Sequence, residues 1–258
     1  MFFYGTTDIG KKRVVNQDNF RIKKYSDDVT IAVVCDGMGG AKGGGVASSL
    51  AVSAFIEKID ESADVLASRH SDDNADELIS DILIGAVECA NTAVFTSAGT
   101  SSELTGMGTT LVCALVTPKR IDGVNVGDSR MYTCNRDAIS QVTKDHSYVQ
   151  YLVDIGKLSP KKAKKSNQRN IITRAVGTEA DVEADLYTLT RNEGDKQSFI
   201  LLCSDGLTNL VEPREILAGL RFHGNVSTES LKKAASRFVA LANERGGSDN
   251  ITVVLLAF

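Results

Sequence analysis

Two stretches, "VVCDGMGG" at 33–40 and "LLCSDG" at 201–206, each run apolar residues into an aspartate followed by a glycine, and "GGSDNITVVLL" at 246–256 sets a third aspartate just before an apolar run. Three carboxylates brought together repel one another unless they are protonated or share cations. Oxygen donors without imidazole or thiolate suit hard ions such as Mg²⁺ or Mn²⁺. On that reading Asp36, Asp205 and Asp249 are metal ligands, and the glycine after Asp36 and Asp205 lets the chain turn sharply while Gly37 exposes its carbonyl oxygen as a further ligand. One Asp-Gly after a strand is most often only a turn. The recurrence with matched flanks favours ligands.

"DIGKKRVVNQDNF" at 8–20 adds a cation and another acid. Arg13 could fork onto phosphate oxygens and Asp18 could hold a metal's water, although each alone would read as a solvated surface charge. The glycine-rich "GMGGAKGGGVAS" lacks the G-K-[ST] ending of a phosphate-binding loop, so it reads as tight backbone passage into a helix.

Positioning these residues falls to runs rich in β-branched side chains at 29–35, 109–117, 123–126, 131–134, 199–203 and 251–257, with "NVGDSR" as a hairpin turn. Helical spacing appears at Val46, Leu50 and Ala54, at Leu78, Ile82, Ala86, Ala90 and Ala93, and at Leu231, Ala234, Phe238 and Leu241, with Gly246 and Gly247 stopping the last helix. Strands and helices do not alternate regularly, so mainly antiparallel sheets with helices outside them are expected. Antiparallel pairing sets the end of one strand beside the start of the next, which would gather the acids at one edge.

The 258 residues carry a net charge of -4, with a pI near 5.5, which argues against a nucleic-acid binder. No apolar run is read as approaching the ~20 residues of a membrane span, and the N-terminus lacks the pattern of a signal peptide, so a cytoplasmic protein is expected. Five cysteines without a C-x-x-C pair read as small buried hydrophobes in a reducing compartment. A catalytic thiol at Cys35 or Cys203 finds no histidine nearby in sequence to activate it.

Taken in order, "RVVNQD", "VVCDGMGG", "GMGTTLV", "NVGDSR", "TKDHS", "RNIITRAVG", "LLCSDGL" and "GGSDNIT" resemble the PPM, or type 2C, metal-dependent serine/threonine protein phosphatases in their short bacterial form. The resemblance implies an α+β fold with two central antiparallel sheets packed as a sandwich and flanked by helices. It implies one catalytic domain over 1–258 with a variable flap at 147–170. Carried over, it makes Asp36 the bridge between two Mn²⁺ or Mg²⁺ ions and the Gly37 carbonyl a ligand of one. Asp205 and Asp249 hold the other ion, Arg13 binds phosphate and Asp18 orients metal waters.

The implied reaction is hydrolysis of phosphoserine or phosphothreonine on proteins by direct attack of a metal-bridging hydroxide, opposing a bacterial Ser/Thr kinase. The alternative is a non-catalytic phosphoprotein-binding relative. The expected partners are phosphoproteins and a cognate kinase system, with no nucleic acid and no membrane span, and the chain is expected to be a monomer. Asp128 and His146 read as stabilisers of turns. Met38 stands where many eukaryotic members have a histidine proposed as general acid. Thr105 is read as replacing an aspartate that holds a third ion, with Glu103 the one carboxylate nearby, so two ions are expected and a third is expected to be absent or weakly held. The basic run Lys161, Lys162, Lys164, Lys165 and Arg169 in the flap reads as a solvated face or a dock for acidic segments.

Overall fold

The computed structural model describes residues 1–68, 75–191, 198–222 and 225–258. Its strands are β1 (Phe2–Asp8), β2 (Asp18–Lys24), β3 (Thr30–Met38), β4 (Gly108–Thr109), β5 (Leu111–Val116), β6 (Arg120–Val126), β7 (Arg130–Cys134), β8 (Ile139–Gln141), β9 (Asp185–Thr190), β10 (Phe199–Cys203) and β11 (Ile251–Ala257). The helices are α1 (Gly40–Asp60), α2 (Ala63–Ser68), α3 (Ala75–Ala98), α4 (Tyr148–Asp154), α5 (Pro160–Ala163), α6 (Asp205–Thr208), α7 (Pro213–Gly219) and α8 (Thr228–Glu244).

One sheet runs β1-β11-β10-β7-β8 and the other β2-β3-β5-β6-β9, with β4 attached to β3. Every pairing in both is antiparallel. Period-two alternation builds three apolar layers. Along β3, Ile31, Val33 and Cys35 face α1 and α3 through Phe55, Leu83 and Val87. Ala32 and Val34 turn the other way and meet Leu202 and Val254 of the second sheet. Leu201, Cys203 and Val253 then face Leu231 and Phe238 of α8. The order is helices, sheet, sheet, helices, the sandwich that the resemblance implied.

The helical stripes differ in detail. On α3 the fully buried line is Ile79, Leu83, Ala86, Val87, Ala90 and Val94, and on α1 it is Ala47, Ala51, Phe55 and Ile59. On α1 the stripe lies one position on from the spacing read in the sequence; on α3 Ala86 and Ala90 are as read while the other positions shift by one, because a run of small and apolar residues allows either stripe and the sheet selects one. Residues 77–98 within α3 are also long and apolar enough to cross a membrane by length and composition, contrary to the reading of the sequence. In this fold that apolarity packs against α1 and the sheet. All five cysteines are free. Burial raises the Cys35, Cys113, Cys134 and Cys203 thiols, as small core side chains would have it.

Candidate active site

Strand register gathers the acids. Asp18 and Asp36 are direct partners across β2 and β3. Cys203 pairs with Arg130 across β10 and β7 and with Val253 across β10 and β11. Just past that pairing β10 gives way to α6, which begins at Asp205, the β6–β7 hairpin carries Asp128, and Asp249 leads into β11. Asp36, Asp128, Asp205 and Asp249 line one cleft of about 410 Å³ together with Arg13, Gly37 and Met38.

The backbone around each acid is held closely. The Asp36 amide donates to Thr110 Oγ1 at 2.9 Å, and its carbonyl accepts from the Thr110 amide and the Thr109 hydroxyl, each at 2.9 Å. Neither Gly37 nor Gly206 adopts a positive φ, so sharp turning is not the reason for glycine there. The reason is close approach: a Cβ on Gly37 would stand 1.9 Å from the Gly44 carbonyl oxygen, and one on Gly206 would stand 1.9 Å from that of Asn250. Gly44 packs as closely from the other side, since a Cβ at 44 would come within 2.7 Å of the Gly37 carbonyl oxygen.

Asp18 lies beneath the cleft and joins the sheets. Its Oδ2 accepts from Ser204 Oγ and Thr252 Oγ1, each at 2.7 Å. Asn250 clasps the segment that carries Arg13, donating to the carbonyls of Ile9 (2.9 Å) and Val15 (3.1 Å) and accepting from the Gln17 amide (2.8 Å). Ser204, Thr252 and Asn250 escaped the sequence reading although all three sit inside the motifs quoted for their aspartates.

The carboxylates destabilise one another's charge. Burial, then the charges of Asp18 and Asp205, hold Asp36 well above the usual range. Burial raises Asp18 to about 6 against the hydrogen bonds from Thr252 and Ser204, and burial with the Asp249 charge raises Asp205 to about 6. Asp128 is pushed up to about 8 by burial and by Asp205. Asp18 Oδ1 and Asp205 Oδ1 are buried without a hydrogen-bond partner among the described residues. No three His, Cys, Asp or Glu side chains among those residues converge tightly enough to enclose one ion. The acids are spread along the cleft. Repelling carboxylates and two orphaned oxygens, with Gly37 lining the same cleft, form a donor set that fits hard divalent cations.

Arg13 is committed within the site: Nη2 and Nε reach Asp249 at 2.9 and 2.8 Å. Asp128, read as a turn residue, belongs to the acid cluster, because the β6–β7 hairpin delivers it there. His146 keeps the structural role. Its Nδ1 accepts from the Gly127 amide at 3.0 Å, and Nε2 lies 3.2 Å from Asp185. Arg130 and Asp145 pair at 2.6 Å, so the segment 143–147 braces the turn that carries Asp128. Thr105 is exposed, with its hydroxyl on the Ser101 carbonyl at 3.3 Å, and it does not line the cleft. Glu103 pairs with Lys42 at 3.0 Å.

Residues 5–237 match the family described as Protein phosphatase 2C. A serine/threonine phosphatase stp of Listeria innocua is 36% identical over 97% of this chain and 93% of its own. Among solved structures, serine/threonine phosphatase Stp1 from Staphylococcus aureus aligns with a TM-score of 0.82 at 34% identity, covering 99% of this chain and 94% of that one. The catalytic domain of PstP in complex with two manganese ions aligns at 0.78 and 31% identity, over 98% and 96% of the two chains. The two sheets, the gathered acids and these likenesses agree: the chain belongs to the protein phosphatase 2C family.

Proposed function

We propose that the protein is a metal-dependent phosphatase that hydrolyses phosphoserine and phosphothreonine on proteins, its substrates supplied by a Ser/Thr kinase of the same cytoplasm. The observation that carries this is the acid cleft, where the Asp205 oxygen and that of Asp18 beside it are buried without partners while burial and neighbouring carboxylates raise their pKa. Asp36, Asp205, Asp249 and the Gly37 carbonyl would hold two Mn²⁺ or Mg²⁺ ions. When bound, such ions offset charge on phosphoryl oxygens and lower the pKa of water.

The chain's own groups do the rest. Arg13 offers two N–H donors in a fork, to Asp249 here and to phosphoryl oxygens when substrate is present. Asp18, fixed through Oδ2 by Ser204 and Thr252, keeps Oδ1 free to orient water. Among the described residues lining the cleft there is no histidine, and water is the proton donor we assign to the leaving alkoxide, with Asp128, pushed up to about 8, the other acid at hand. With threonine at 105 and its hydroxyl turned to the Ser101 carbonyl, a third ion beside Asp205 would be absent or weakly held.

The test is phosphate release from phosphothreonine and phosphoserine peptides with Mn²⁺. EDTA should abolish it, and Asp36→Asn and Asp205→Asn should each lower kcat by at least about a thousandfold while the protein stays folded. A binding-only relative would retain phosphopeptides without turnover. Near wild-type kcat in either variant would remove these residues from the reaction.

A further inference from the structure

Beside the acid cleft lies a larger groove of about 940 Å³ that shares Asp128 and Asp205 with it. One wall is the 160–169 segment, which contributes Lys161, Lys162, Lys164, Lys165 and Arg169; the other is the start of α6 and the approach to α7. Among the described residues only Lys164 of these five has an ion-pair partner, and that partner lies across the groove: Glu212, at 2.9 Å. Both side chains remain more than half exposed, so the contact is an exchangeable one. The positive charge of Arg169 bears on Asp205, which places the basic wall next to the acid cluster. Tyr132, Val149 and Pro213 supply apolar floor for a chain segment.

We infer that this groove binds the stretch of phosphoprotein on one side of the scissile phosphoresidue and selects acidic side chains there. The inference rests on the phosphatase reading of the adjoining cleft. Glu212 already shows the chemistry, a carboxylate seated on a lysine of the flap wall, and an acidic substrate residue takes its place or joins the unpaired lysines beside it. Asp128 and Asp205 line both cleft and groove, so a chain that sets its phosphoresidue in the cleft would lay one of its flanks in the groove. The preference is therefore one-sided, which separates docking from a general attraction of acidic peptides to lysines, since that would act on both flanks alike.

Phosphothreonine peptides test this when they differ only in whether three flanking alanines are aspartates, placed before the phosphoresidue in one set and after it in another. At low salt, acids on one flank should raise kcat/KM about fivefold over the neutral peptide, acids on the other flank should change it less than twofold, and 0.5 M NaCl should erase the difference. In Lys161→Glu/Lys165→Glu the favoured flank should lose its advantage. The readout is the acidic-to-neutral ratio within each protein, so a general loss of turnover cancels. Equal effects of both flanks, or a ratio that survives the double substitution, overturns the groove. Turnover of p-nitrophenyl phosphate with Mn²⁺ runs alongside: if it and every peptide fail, the phosphatase reading fails and the groove with it, whereas small-substrate turnover without flank preference overturns the groove alone.

Discussion

Arg13 and Asp249 show how one contact ties two proposed roles together. The guanidinium holds both oxygens of a carboxylate that is assigned to a divalent ion. Arginine and metal therefore compete for Asp249, and their like charges repel at short range. Removing the guanidinium relieves both effects. Arg13→Ala is expected to tighten Mn²⁺ binding about three- to tenfold while raising KM for phosphopeptides, since a phosphate clamp contributes to ground-state binding. Isothermal titration of Mn²⁺ into the metal-free variant measures the first, and an unchanged or weaker affinity would show that Arg13 and metal do not share Asp249. From the sequence, Arg13 and Asp249 were each nameable from a motif, but a pairing across 236 positions is fixed only by the fold.

At the scale of elements, what was legible followed burial. The six strands read from the sequence, β3, β5, β6, β7, β10 and β11, are interior to their sheets, and β3, β5, β10 and β11 carry long apolar runs because both of their faces are buried, while β6 and β7 showed only through shorter β-branched stretches. The strands missed at the margins, β1, β8, β2 and β9, are all edges. Residues such as Arg21, Lys23 and Lys24 in β2 give no apolar signal, and β9 alternates between partly buried and exposed positions. Asp18 begins one of these edge strands, so its motif was visible while its strand was not. The tie it makes from β2 to Ser204 and Thr252 of the other sheet has a measurable worth. Hydrogen bonds to a charged acceptor contribute about 1.5–3 kcal/mol. Thr252→Val, which keeps the shape and loses the hydroxyl, should lower stability by about that amount, and Thr252→Ser should keep most of it. Urea unfolding of the two variants decides, and equal losses in both would assign the effect to packing.

For the molecule as a whole, gathering acids at the meeting of two sheets trades stability for a cation site. Asp128 titrates at about 8 in the folded chain, against an ordinary value of about 3.9, and Asp36 is also held well above its usual range. A carboxyl whose folded pKa is raised binds more protons folded than unfolded, so its contribution is complete below the unfolded pKa and lost as pH rises through the folded one. The opposite class, carboxylates lowered by cationic partners such as Glu215 beside Arg245 and Asp185 beside Arg174, finishes titrating at lower pH. His146, lowered by burial, acts only below about 6.5, where the unfolded imidazole takes its proton. Between pH 6.5 and 8.5 the raised acids therefore dominate, joined toward pH 8.5 by the buried thiols, which act in the same direction because unfolded cysteines ionise at about 8.5. With EDTA present, Tm should fall across that window by a few degrees, about 2–4 °C for each kcal/mol lost in a chain of this size. Saturating Mn²⁺ binds the ionised form, so it should reverse the slope and open the widest gap between the two curves at pH 8.5. Asp128→Asn removes one of these groups and should make the EDTA curve shallower, with Asp36 and the buried thiols keeping the remaining slope. Scanning calorimetry of both proteins, with and without Mn²⁺, reads all four curves, and an EDTA Tm that rises with pH in the wild-type chain would mean that the cleft bears its charges without needing a cation.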